Sequence, residues 1–114
     1  RNTPIDPGTA PTYRHQEVIG LLAQVYRTAA GTVILGGDLN ARPDTPEIAA
    51  ISLVFQDAWA RCGRTGSGHT FPSNAPDRRI DYLMLRRARC TGAMVLETEA
   101  SDHRPFLATI VIEG

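Results

Sequence analysis

Three apolar runs of β-prone residues stop or break at an acid, and this constrains the fold most. Thr32 to Leu35 is released through two glycines into Asp38-Leu39-Asn40. Ile80 to Leu85 carries Asp81 inside it, and Ser101-Asp102-His103-Arg104-Pro105 precedes the run Phe106 to Ile112. Strand ends deliver side chains to the rim of a sheet, where layered α/β proteins keep their chemistry. An acid within an apolar strand is costly unless it is paired. The three motifs are therefore expected at one rim.

Helical signals lie between the strands. Val18, Ile19, Leu21, Leu22, Val25 and Tyr26 fall on one wide helical face, behind Thr12 as a cap. Thr45-Pro46-Glu47 is a second start, with a capping Thr and Pro in the first turn, running to about Leu53. Val54 to Ala60 reads as a short helical or extended piece around Phe55 and Trp59. Arg61 to Asp77 is rich in Gly, Ser, Pro and Asn and reads as loop, with Thr70-Phe71 its one candidate for strand pairing. In Ile80 to Leu85, alternation puts Asp81, Leu83 and Leu85 on one face and Ile80, Tyr82 and Met84 on the other. Ala93 to Glu97 and Phe106 to Ile112 are further strands, the latter expected to be buried on both faces. This order describes an α/β layered domain. The 114 residues allow one domain at most.

Composition narrows the partners. The 12 acids balance the 12 basic residues, all of them Arg, so overall charge gives no case for a polyanion. No apolar run approaches the roughly 20 residues that span a bilayer. No signal peptide is visible, and a first residue of Arg1 is expected of a piece of a longer protein. The compartment stays open between cytoplasmic and secreted. Cys62 and Cys90 make no disulfide framework and match no zinc spacing; they are expected to be free or an incidental pair.

Asp38 and Asn40, two apart, share a face if the backbone stays extended, whereas a turn after the glycines is the plainer reading. Asp102 and His103, being adjacent, are expected to diverge. His103 then has Asp81 as its natural partner, a pair that would fix the imidazole tautomer and raise its pKa. A hydrogen-bonded core histidine is the alternative. Three carboxylates, one amide and one imidazole at a rim suit a hard divalent cation and a phosphate ester. No Ser sits in a Gly-x-Ser-x-Gly elbow, which argues against a serine hydrolase using His103.

Gly-Asp-Leu-Asn, then Arg-Ile-Asp-Tyr-Leu, then Ser-Asp-His-Arg-Pro resembles the endonuclease/exonuclease/phosphatase superfamily, in motif and in order. Gly68-His69-Thr70-Phe71-Pro72 and Asn2-Thr3 ahead of Arg14-His15-Gln16 add to the likeness. The resemblance covers essentially the whole chain but only the C-terminal half of the family fold. It implies half of a four-layer α/β-sandwich, with helices packed on a mixed sheet, as one partial domain over 1–114. It implies Mg²⁺- or Mn²⁺-dependent hydrolysis of a phosphodiester or phosphomonoester by in-line attack of water. Asp38 would then orient or deprotonate that water, and Asn40 would contact the phosphate. Asp102, with Asp38, would hold the metal, and His103, oriented by Asp81, would stabilise phosphoryl charge. The family's metal-binding Glu and phosphate-contacting Asn belong to an N-terminal half expected as this chain's partner. Pro4 occupies a position where the family often has a catalytic His.

The substrate is expected to be a nucleic acid, a phospholipid or a small phosphodiester, with neutral charge favouring the last two over duplex DNA. Arg42, Arg78, Arg79 and Arg104 flank the motifs as candidate phosphate contacts, or as solvated or ion-paired surface. A competing reading makes the chain a non-catalytic half-domain that dimerises or binds a phosphate-bearing partner through an exposed sheet face.

Overall fold

The computed structural model describes Gly20, residues 22–24 and residues 31–112. The elements run β1 (Val33–Asp38), α1 (Pro46–Ser52), β2 (Gln56–Asp57), α2 (Ala58–Cys62), β3 (Asp81–Arg86), β4 (Ala88–Val95) and β5 (Phe106–Ile112). One sheet has the order β1-β3-β2 and a second pairs β4 with β5, all antiparallel. An isolated bridge between Gly63 and Ala93 is parallel.

α1 forms where its capping residues stand. The Thr45 hydroxyl accepts the Ile48 N–H at 3.4 Å, and Pro46 costs nothing in a first turn whose N–H groups have no helical partner. Ile48 and Ile51 bury against Phe55, Leu22 and the Tyr82 and Met84 face of β3. The opposite face of β3 puts Leu85, 1% exposed, among Ala58, Cys62, Ala88 and Cys90. The alternation expected of Ile80 to Leu85 is thus realised as two separate cores, one on each side of the central strand. Truncating Leu85 to Ala would cost about 2–5 kcal/mol.

Asp57 ends β2 and caps α2, its Oδ1 accepting the N–H groups of Trp59 and Ala60. Val54 to Ala60 thus turns at Val54 and Phe55, is extended at Gln56–Asp57 and helical from Ala58, and Phe71, in the predicted loop, forms an antiparallel bridge with Arg78 beyond it. Arg87, at φ 58°, swings the chain from the first sheet to the second. Its carbonyl accepts the Thr32 hydroxyl at 2.9 Å.

Several expectations need correction. Of the two expectations for Cys62 and Cys90, only the free thiols fall: the pair is realised as a disulfide that pins the end of α2 to β4. β4 begins at Ala88, not Ala93, because pairing of Ala88 with Ile112 and Cys90 with Ile110 recruits residues of little β preference. β5 is not buried on both faces: Phe106, Ala108 and Ile110 pack against the second core, whereas Leu107, 45% exposed, and Thr109 lie on the opposite face, which nothing among the described residues covers. Gly20 and residues 22–24 are helical, with Leu22 in the α1 core, while the rest of the helix expected behind Thr12 lies outside the described residues. So do Asn2-Thr3, Pro4 and Arg14-His15-Gln16. No helix among the described residues is long and apolar enough to cross a membrane.

Candidate active site at the strand rim

β1 ends on Asp38 and β3 begins on Asp81, and the antiparallel register sets these residues opposite each other. Residues opposite in a ladder project to the same side, so two carboxylates meet at one rim. His103 lies between them. Its Nδ1 is 2.7 Å from Asp81 Oδ2, and its Nε2 is 3.6 Å from Asp38 Oδ2. A carboxylate only accepts, so Nδ1 carries the proton and Nε2 is the face left for chemistry. The hydrogen bond to Asp81 raises the His103 pKa above its ordinary value; partial burial opposes this, and the charges of Asp81, Asp38 and Asp102 reinforce it. Phe71 packs against the imidazole, with ring centres 4.7 Å apart. The cleft at this rim has a volume of about 420 Å³ and is lined by Gly36, Gly37, Leu83 and Phe106 beside Asp81 and His103.

A short segment, Thr70 to Ser73, grips the loop that carries His103. The Thr70 hydroxyl donates to Asp81 Oδ2 at 2.6 Å, and the Thr70 carbonyl accepts Arg104 N–H at 2.7 Å. Ser73 N–H donates to the Asp102 carbonyl, and its hydroxyl to that of Ser101. The Ser73 carbonyl accepts Arg104 Nε–H at 2.9 Å. Motif reading did not single out Thr70 or Ser73 as site residues. The signal that finds them is burial, for both are polar and are 0% and 6% exposed.

Asp38, Asp81 and His103 come together, and Asp102 is not part of that group. The extended backbone that would align Asn40 with Asp38 ends at Asp38. Asn40 is left-handed at φ 50°, and its N–H donates to Asp38 Oδ1 at 2.8 Å. That is an Asx turn, so the turn reading describes the backbone here. Asp102 is exposed, diverges from His103, and accepts the Ser101 hydroxyl at 3.2 Å. Among the flanking arginines, Arg79 is held in a buried ion pair, its Nη1 2.9 Å from Asp57 Oδ2. Arg78 pairs with Asp77 and lies over the Phe71 ring, and Arg104 braces Ser73. The structure thus assigns Arg79 and Arg104 positions within the protein framework.

One ligand atom from each of Asp38, Asp81 and His103 lies within 4.8 Å of the others. Their donor chemistry fits a hard divalent cation in part. Asp81 Oδ2 is already engaged twice, so of the two carboxylates Asp38, with its side chain 45% exposed, is the more accessible.

Antiparallel sheets with helices packed on them and an acid–imidazole rim describe part of an α/β sandwich. Residues 1–103 match the Endonuclease/Exonuclease/phosphatase family, and the chain belongs to it. Among solved structures, it is similar to the endonuclease/exonuclease/phosphatase from Bacteroides vulgatus, with 20% identity and a TM-score of 0.75 over 88% of this chain and 44% of that one. A functionally unknown conserved protein from Enterococcus faecalis V583 is 21% identical, with a TM-score of 0.72 over 90% of this chain and 46% of that one. A mannosyl-6-phosphatase of Bacteroides thetaiotaomicron is 23% identical, with a TM-score of 0.62 over 87% and 46%. The chain therefore spans less than half the length of each of these structures. No curated protein matches.

Proposed function

We propose that this chain supplies the C-terminal part of the active site of a divalent-metal-dependent phosphohydrolase. The observation that carries the reading is His103, fixed through Nδ1 to Asp81 and presenting Nε2 toward Asp38. Water placed beside Asp38 is oriented, and relieved of its proton, by that carboxylate. His103, oriented by Asp81, meets the phosphoryl oxygens with Nε2 as charge builds on them. Such prepositioned donors account for most of the acceleration in sites of this kind. The Asn40 amide contacts the phosphate without adding negative charge. Asp38, joined by family resemblance by Asp102 from outside the Asp38–Asp81–His103 group, would hold Mg²⁺ or Mn²⁺, which as a Lewis acid neutralises phosphoryl charge when bound. By family resemblance, a further metal-binding Glu and a phosphate-contacting Asn would come from an N-terminal half of the domain.

The substrate is a phosphodiester or a phosphomonoester: a nucleic acid, a phospholipid or a small ester. A structural neighbour named as a mannosyl-6-phosphatase supports keeping monoesters in the set. The test is hydrolysis of a generic phosphodiester and monoester by the protein with both halves of the domain present, with Mg²⁺, with Mn²⁺ and with chelator. Cleavage that needs the metal supports the reading; none of either ester, or equal cleavage in chelator, refutes it.

A further inference from the structure

We propose that Thr70 is a positioning residue, whose hydroxyl aims the Asp81 carboxylate so that His103 holds Nε2 toward Asp38 and the phosphoryl group; this rests on the phosphohydrolase reading. Thr70 is 0% exposed, and its hydroxyl meets the same Asp81 oxygen that receives His103 Nδ1–H, at 2.6 and 2.7 Å. An ionised carboxylate has no proton to give, so both groups donate into one oxygen.

The arrangement closes on itself. Thr70 donates to Asp81, Asp81 accepts from His103, and the residue after His103 returns its N–H to the Thr70 carbonyl at 2.7 Å. On the other side, Thr70 N–H donates to the Arg78 carbonyl at 2.9 Å. The Thr70 backbone is therefore tied on both sides, and its branched Cβ restricts the hydroxyl to few rotamers. A carboxylate torsion has no such restriction, because rotation about χ2 of Asp is broad. The hydroxyl removes that freedom. Without it, Asp81 turns more freely and the imbalance passes to the imidazole. A fully buried hydroxyl could instead serve the fold alone, so the test separates orientation from stability.

The pair of variants is Thr70→Val, which keeps the shape and removes the donor, and Thr70→Ser, which keeps the donor. Thr70→Val is expected to lower kcat about tenfold with KM within about twofold, and Thr70→Ser to stay within about twofold of the parent. In an Asp81→Ala background, Thr70→Val is expected to change kcat by less than about twofold, since its target is gone. An equal loss in both backgrounds, or wild-type kcat in Thr70→Val, overturns the proposal.

A second readout needs no catalysis. In the 114-residue chain, nitrogen–proton NMR should show a protected Nδ1–H on His103 in the parent and in Thr70→Ser. In Thr70→Val that signal should be lost to exchange while the rest of the spectrum persists. If no phosphate ester is cleaved, this arm alone decides on Thr70, and only the functional reading falls. Thr70→Ala replaces the valine variant if the latter does not fold. Should every variant without the hydroxyl fail to fold, Thr70 is a stability residue and the proposal is overturned.

Discussion

Replacing both cysteines by alanine should destabilise the chain by about 3–4 kcal/mol, mostly through the unfolded state. The bridge joins residues 28 apart in sequence, from the end of α2 to β4. Closing a loop of that length removes denatured-state entropy equivalent to about 3.6 kcal/mol at 25 °C. Both positions are buried, at 6% and 9% exposure, so loss of the sulfurs adds a smaller packing term. Against the ~5–15 kcal/mol that holds a typical domain together, this is a large fraction. The enclosed loop contains Thr70, Ser73 and Asp81, so the bridge also restrains the segment that orients His103. Urea unfolding of the oxidised parent and of Cys62→Ala/Cys90→Ala measures both the midpoint and the slope. A cross-link that acts on the unfolded state predicts a lower midpoint together with a steeper slope, because the released chain exposes more surface. A difference below about 1 kcal/mol would refute this loop-entropy reasoning.

Gly68 and Gly66 offer a matched comparison. Both are left-handed, at φ 76° and 78°, but a Cβ on Gly68 would sit 2.5 Å from the Trp59 indole, whereas Gly66 faces open space. Gly66→Ala should therefore cost about 1 kcal/mol and Gly68→Ala about 2–4 kcal/mol by urea unfolding; equal costs would remove the steric account. The His103–Asp81 bond raises the histidine pKa when the chain folds, so its contribution is fully present below the unfolded value near 6.5. It is lost as pH rises through the higher folded value. Stability against pH should thus decline across that window in the parent and run flatter in His103→Gln; parallel curves would sink the linkage.

The rim was legible in the sequence because its acids interrupt apolar runs, and only a partner or a ligand makes that tolerable. Asp81 is the clearest instance: an acid in a strand whose neighbours are Ile80 and Tyr82, and it is paired with His103. The two faces of β3 were legible for the same periodic reason. The turn at Asn40 was legible as well, as the plainer reading of Asp and Asn after two glycines, and it is closed by one local hydrogen bond to Asp38. Thr70 and Ser73 were hidden in a segment whose composition reads as loop. Their value comes from contacts 11 to 31 residues away, which no local pattern encodes. The Cys62–Cys90 bridge and the early start of β4 are likewise products of tertiary pairing.

The most direct test of the central claim is the turnover of a phosphate ester by the protein carrying Asp38→Asn or His103→Ala, with melting temperature measured alongside. The account predicts a loss of about 100-fold or more in each while the chain still melts as a folded protein, because each removes a group that faces the reacting phosphate. Turnover at the parent level in either variant would contradict the roles given to these two residues, and with them the placement of the chemistry at this rim.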